Sequence, residues 1–185
     1  RRRHTRYWRD WSSDVCSSDL LHCGRGVLRE AAYGVLCYFS AIPLMLIGVT
    51  ILTVYSQIAS AQPGQHPDTE LQVGADWFRL ALIALSNAVA APIIEEIMFR
   101  GALYSHLRGT VFKRIPVVSI LVSAITSSFI FAVIHPQGML FIPALGGMAV
   151  SYCLYRELRG SLIASMVAHG IHNGTLFVFS ITLIS

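Results

Sequence analysis

Three short patterns hold most of the chemistry this chain can do. Glu95 and Glu96 are adjacent, and Arg100 follows Glu96 by four residues; Phe131 and His135 are four apart; so are His169 and Asn173, with His172 between them. Residues four apart share one face of a helix, so each pattern presents a small polar set in one direction. Two adjacent carboxylates cannot both stay charged cheaply in a low dielectric. Arg100 can neutralise Glu96 in the favourable Glu-before-Arg order. That leaves Glu95, about 100° round the helix, free to act as a base. Glu95 and His135 can hold and deprotonate a water between them, and His169 with Asn173 remain as donors to a developing oxyanion. Base, water and oxyanion donors are what amide hydrolysis needs. Phe131, one turn before His135, is placed to pack against the imidazole and limit its rotamers.

Zinc is the chemical rival. His135, His169, His172 and Glu95 offer enough nitrogen and oxygen donors for a site with an open position. Yet no HExxH occurs, and Arg100 puts a cation where a metal would be repelled. The expectation is therefore that no cofactor is required and that no residue serves as a metal ligand. The four cysteines (Cys16, Cys23, Cys37 and Cys153) show neither CxxC nor zinc-ligand spacing.

Polar groups of this kind need elements to position them, and the composition says which. Of the 185 residues 54% are hydrophobic and only 13% charged, where a soluble domain carries about a quarter. No Asp, Glu, Lys or Arg occurs from Ala31 to Pro67, or from Ile115 to Tyr155. Each stretch exceeds the roughly 20 apolar residues that cross a bilayer. The fold class expected is all-α: a polytopic transmembrane bundle of about five hydrophobic helices. They run from about Leu28 to Ile58 (with Pro43 inside), from Asp76, a capping residue, to about Arg108, from Pro116 to His135, from Met139 to Glu157, and from Ser161 to the C-terminus. Small residues four apart, Ser123/Ser127 and Ala124/Ser128, suit close helix packing in lipid. Ionisable groups cost roughly 2.5–3.5 kcal/mol each at the centre of a membrane helix, so the three polar faces are expected to converge on one pocket.

Depth is less simple. Counted at 1.5 Å per residue from a turn near Ile115, Glu95 and His135 both stand about 30 Å away, whereas His169 is about 12 Å into its helix. Extension of the second and third helices beyond the bilayer is expected to reconcile them. Arg25 and Arg29, then Arg108, Lys113 and Arg114, then Arg156 and Arg159 sort to one side, which the positive-inside rule places in the cytoplasm. Asp68, Glu70 and Asp76 lie on the other. Trp77, Phe78, Tyr104 and Tyr155 fit an aromatic belt.

The patterns Glu95-Glu96-Ile-Met-Phe-Arg100, Phe131-Ala-Val-Ile-His135 and His169-Gly-Ile-His-Asn173 resemble the three motifs of the CPBP intramembrane proteases, the CAAX prenyl protease 2 and bacteriocin-processing (Abi) family. The resemblance runs from about Leu80 to Phe177 and places each motif in its own hydrophobic helix. It implies a membrane endopeptidase in which Glu95 and His135 activate water and His169 and Asn173 bind the oxyanion. Glu96, Arg100 and Phe131 would be supporting residues. It also implies a peptide or prenylated-protein substrate, CAAX-type processing or bacteriocin maturation and self-immunity, and a bacterial plasma membrane.

Residues 1–20 stand apart. Ser12-Ser13-Asp14-Val15-Cys16 is nearly repeated by Ser17-Ser18-Asp19-Leu20-Leu21, after an Arg-rich start. This segment reads as a non-native scar or a disordered tail, and 21–185 as an N-terminally truncated transmembrane protease domain. Its arginines come with no groove-reading motif, so no nucleic-acid partner is expected; the partners are the lipid bilayer and the peptide substrate. The oligomeric state is not encoded legibly. The competing function is a non-catalytic membrane immunity or interaction protein whose polar cluster only knits the bundle, which would leave those side chains scattered on different faces.

Overall fold

The computed structural model describes residues 26–60 and 71–184. The tail at 1–20, and Cys23, Arg25, His66, Asp68 and Glu70, lie outside the described residues. Five helices account for the fold, with no strand among the described residues. α1 is Val27–Ala59 and α2 is Trp77–Thr110. α3 is Pro116–Val133, and α4 is Met139–Arg159, a 3-10 turn at Met139–Phe141 leading into Ile142–Arg159. α5 is Ile163–Ile184. α1 to α4 are each long and apolar enough to cross a membrane. The expected all-α bundle is what forms.

Local sequence explains the ends. Asp76 caps α2, its side chain accepting from the Arg79 N–H at 2.8 Å. Pro43 stays inside α1 without ending it, as prolines in apolar helices can. α3 stops at Val133, two residues before the expected end. Pro136 disfavours helical backbone at the residue before it, so His135 sits in the turn beyond the helix, its N–H bonded to Ala132 O.

α2 departs most from expectation. It is α-helical over Trp77–Leu85, Ala91–Glu96 and Tyr104–Thr110, and π-helical over Ser86–Ala90 and Ile97–Leu103. The two π segments bracket Glu95 and Glu96. Such bulges concentrate at functional sites.

Between apolar helices in lipid, close backbone approach replaces the hydrophobic drive. α1 packs on α4 and α5, and α3 on α4. A Cβ at Gly48 would come within 2.4 Å of the Ala144 backbone, and one at Gly147 within 2.7 Å of Leu44 O. α3 buries Ser119, Ser123, Ala124, Ser127, Ser128 and Phe131, the stripe its spacing announced. Ser127 Oγ donates to Phe99 O at 3.2 Å and Ser119 Oγ to Arg108 O at 3.0 Å.

At the end of the bundle where α2 meets α3, the aromatic-belt reading fails for Tyr104. It is fully buried, and its hydroxyl donates to Glu157 Oε2 at 2.8 Å. Arg108, expected at the basic end of the second helix, is also buried and donates to the same carboxylate at 3.2 and 3.3 Å. Glu157, on α4, supplies the half-buried acceptor that draws both inward. Arg159 pairs with Glu30 of α1 and lies 3.8 Å from the Tyr33 ring. Trp77 and Phe78 are exposed.

Candidate active site

The three polar faces do meet. Glu95 comes from α2 between its π segments, His135 from the turn after α3, and His169 from the second turn of α5. Glu95 Oε2 lies 3.6 Å from His135 Nε2 and 3.7 Å from His169 Nε2. The three side chains meet although their counts along the helices differ, and α2, at 34 residues, is longer than the roughly 20 that span a bilayer. In its π segments α2 makes i→i+5 turns with more residues in each, and His135 has left its helix.

The partners on the far side of each ring fix its tautomer. His135 Nδ1 is 2.6 Å from Phe131 O, an atom that only accepts, so Nδ1 carries the proton. His169 Nδ1 is 3.1 Å from Glu96 Oε1, and the same oxygen lies 2.9 Å from Arg100 Nη1. This ring too carries its proton on Nδ1. Both Nε2 atoms face one carboxylate oxygen, and Glu95 Oε2 is buried with no hydrogen-bond partner among the described residues. At 3.6 and 3.7 Å neither imidazole reaches that oxygen at ordinary hydrogen-bond distance.

Glu96 and Arg100 are both fully buried. A buried ion pair needs further partners to offset its desolvation; here they are partial, since Glu96 Oε2 and Arg100 Nε have no hydrogen-bond partner among the described residues. Arg100 Nη2 donates to Ala149 O at 3.4 Å. The guanidinium carbon lies 4.6 Å from the Phe131 ring and 5.2 Å from the Tyr152 ring, within cation–π range. Phe131 joins the groups together, its ring centroid 4.1 Å from that of His135 and 5.9 Å from that of His169. Tyr152 flanks His169 on the other side at 5.6 Å.

Asn173 is placed differently. It lies one turn past His169, and its Nδ2 donates to Asn87 O at 2.9 Å. No contact joins it to Glu95 or His135 among the described residues, and one amide N–H is left for another acceptor. His172 points elsewhere, buried beside Tyr38 with ring centroids 6.4 Å apart. Tyr152, Asn87 and the π segments had no signature of their own in the sequence. Pro92, inside a helix, was the visible sign that α2 is irregular.

With the geometry in hand, comparison with known families is decisive. The family model for Rce1-like type II CAAX prenyl endopeptidases matches residues 77–175, more than half of the chain. The chain belongs to this family. No curated protein and no solved structure matches it. The match to the CAAX prenyl endopeptidases contains all seven motif residues, Glu95 to Asn173, and leaves α1 outside. Membership implies CAAX-type endopeptidase activity, and with four apolar helices the chain is an integral membrane protein.

Proposed function

We propose that this CAAX prenyl endopeptidase hydrolyses its peptide bond with a water held between Glu95 and His135. The observation that carries the reading is the convergence of Glu95 Oε2 on two imidazole Nε2 atoms at 3.6 and 3.7 Å. A water donating one hydrogen to Glu95 and the other to His135 supplies the partner that Glu95 Oε2 lacks. Glu95, Glu96 and Arg100 sum to one negative charge inside an apolar bundle; a proton on His169 Nε2 brings the four groups to zero.

In this protonation state the steps balance. The water oxygen attacks the scissile carbonyl and forms the new C–O bond as its proton passes to Glu95. The carbonyl becomes an oxyanion, which accepts from the His169 Nε2–H and the spare Asn173 N–H. Glu95 then returns its proton to the departing amine as the C–N bond breaks. Glu96, bonded to His169 Nδ1, supports the imidazolium, and Arg100 keeps Glu96 ionised. Phe131 holds the His135 ring.

The substrate we propose is a membrane-borne prenylated protein with a CAAX C-terminus, presented from the side where the basic residues lie, taken as cytoplasmic by the positive-inside rule. We read the site as working without a metal. Paired Nε2 atoms with occupied Nδ1 atoms also occur in metal sites; the feature that supports the metal-free reading is the Arg100 cation paired with Glu96 beside His169. The test is cleavage of a fluorogenic peptide ending in a farnesylated CAAX sequence by the purified protein in detergent. Glu95→Gln, isosteric and without a basic oxygen, is expected to lower kcat by about a thousandfold while the protein still inserts and folds. Turnover at the wild-type rate by that variant overturns the reading.

A further inference from the structure

Pro92 is fully buried in the middle of α2, three residues before Glu95, and the mechanism above does not use it. Its effect lies in the hydrogen bond it does not make. In the first π segment the Ala91 N–H bonds back to Ser86 O, five residues earlier. The next bond of that register would run from residue 92 to Asn87 O, and a return to α-helix would run from residue 92 to Ala88 O. Proline has no N–H for either, and its ring crowds the carbonyl four residues back. The carbonyl that the missing N–H would have served is thereby left without that backbone donor in the interior of an apolar bundle, a cost of several kcal/mol if nothing else supplies one.

Both carbonyls face α5. Asn87 O accepts from Asn173 Nδ2 at 2.9 Å. Ala88 O lies so close to Gly170 that a Cβ there would stand 2.6 Å from it. Gly170 and Asn173 flank His172 and follow directly on His169, so the two contacts set how α5 lies along α2 where the histidine meets the glutamates.

We propose that Pro92 is a positioning residue: by withholding its N–H it frees the Asn87 carbonyl to anchor the Asn173 amide, and through it the register of α5 against Glu95 and Glu96. This deepens the reading of Asn173 as an oxyanion donor, on which its consequence for turnover rests. One amide N–H is spent on the anchor, and the other is held in a fixed direction.

Pro92→Ala restores an N–H that competes for Asn87 O or Ala88 O, and removing a mid-helix proline does not weaken α2. Gly170→Ala attacks the same contact from the other helix and leaves the α2 hydrogen bonds untouched. The chain contains only two asparagines, Asn87 and Asn173, so protein labelled with 15N-asparagine gives two side-chain amide groups to follow in micelles. The expected result is a slowly exchanging Asn173 amide in the wild type, at least tenfold faster exchange in both variants, and unchanged or higher thermal stability in Pro92→Ala. With the farnesylated CAAX peptide, kcat is expected to fall roughly tenfold in Pro92→Ala at unchanged KM. Unchanged protection of Asn173 in both variants overturns the proposal, whatever turnover does. Fast exchange with wild-type turnover upholds the anchor and overturns instead the oxyanion role of Asn173. A fall in stability that accounts for the whole loss of turnover, with Asn173 still protected, assigns Pro92 to packing and also overturns the proposal.

Discussion

Replacing Arg100 by methionine separates what the buried ion pair does for the fold from what it does for the chemistry. Glu96 and Arg100 are 2.9 Å apart and neither is exposed, so the variant strands a carboxylate in the bundle. Removing one partner of such a pair costs about 3–5 kcal/mol. The guanidinium also leaves two aromatic rings at 4.6 and 5.2 Å, contacts that methionine replaces only by packing. The expected stability loss is about 4 kcal/mol, read as a large fall in the midpoint of thermal unfolding in detergent. The double variant Glu96→Gln/Arg100→Met removes both charges, and replacing both partners of a buried pair is often close to neutral. Its stability is expected to return to within about 1 kcal/mol of wild type. Its turnover is not: the substituted amide can still accept from His169 Nδ1 but carries no charge to support an imidazolium, so kcat stays about a hundredfold low, about 2.7 kcal/mol in the barrier. Wild-type stability in Arg100→Met, or recovery of turnover together with stability in the double variant, refutes this reasoning.

Three further outcomes follow from the geometry. Phe131→Leu removes the ring held 4.1 Å from His135 and 4.6 Å from the Arg100 guanidinium; kcat is expected to fall by about tenfold at similar KM, and a steady-state assay on the folded fraction checks it. Gly147→Ala drives a Cβ to within 2.7 Å of Leu44 O, so the midpoint of thermal unfolding should drop by the equivalent of about 1–3 kcal/mol while turnover per folded molecule holds. Dialysis against a strong chelator should leave hydrolysis of the farnesylated peptide unchanged; loss of activity restored by zinc would replace the water-only mechanism with a metal-assisted one.

What the sequence made legible was whatever depends on spacing along one helix. Glu96 and Arg100 pair one turn apart, Phe131 lies against His135, Asp76 caps α2, and the small residues of α3 face inward, all because positions three and four apart share a face. What it hid depends on contacts between helices. Tyr104 reads as an interfacial aromatic until Glu157, 53 residues later, is brought beside it. Arg108 reads as an exposed cation at the end of its helix for the same reason. That His169 comes level with Glu95 and His135 was not legible from counting along each helix, because it depends on how α2, α3 and α5 cross. Asn173 was legible as a polar residue on the histidine face, but its attachment to Asn87 O was not, since no side-chain pattern marks a carbonyl that a proline has freed.

The claim beneath all of this is that one water, without a metal, occupies the space between Glu95 and the two imidazoles. The most direct measurement is diffraction from crystals of the detergent- or lipid-embedded enzyme, with a second data set collected at the zinc absorption edge. The account predicts a single water-like peak within hydrogen-bond distance of Glu95 Oε2 and His135 Nε2, with no anomalous signal. An anomalous peak about 2 Å from both Nε2 atoms, or side chains closed on one another with no density between them, would contradict it.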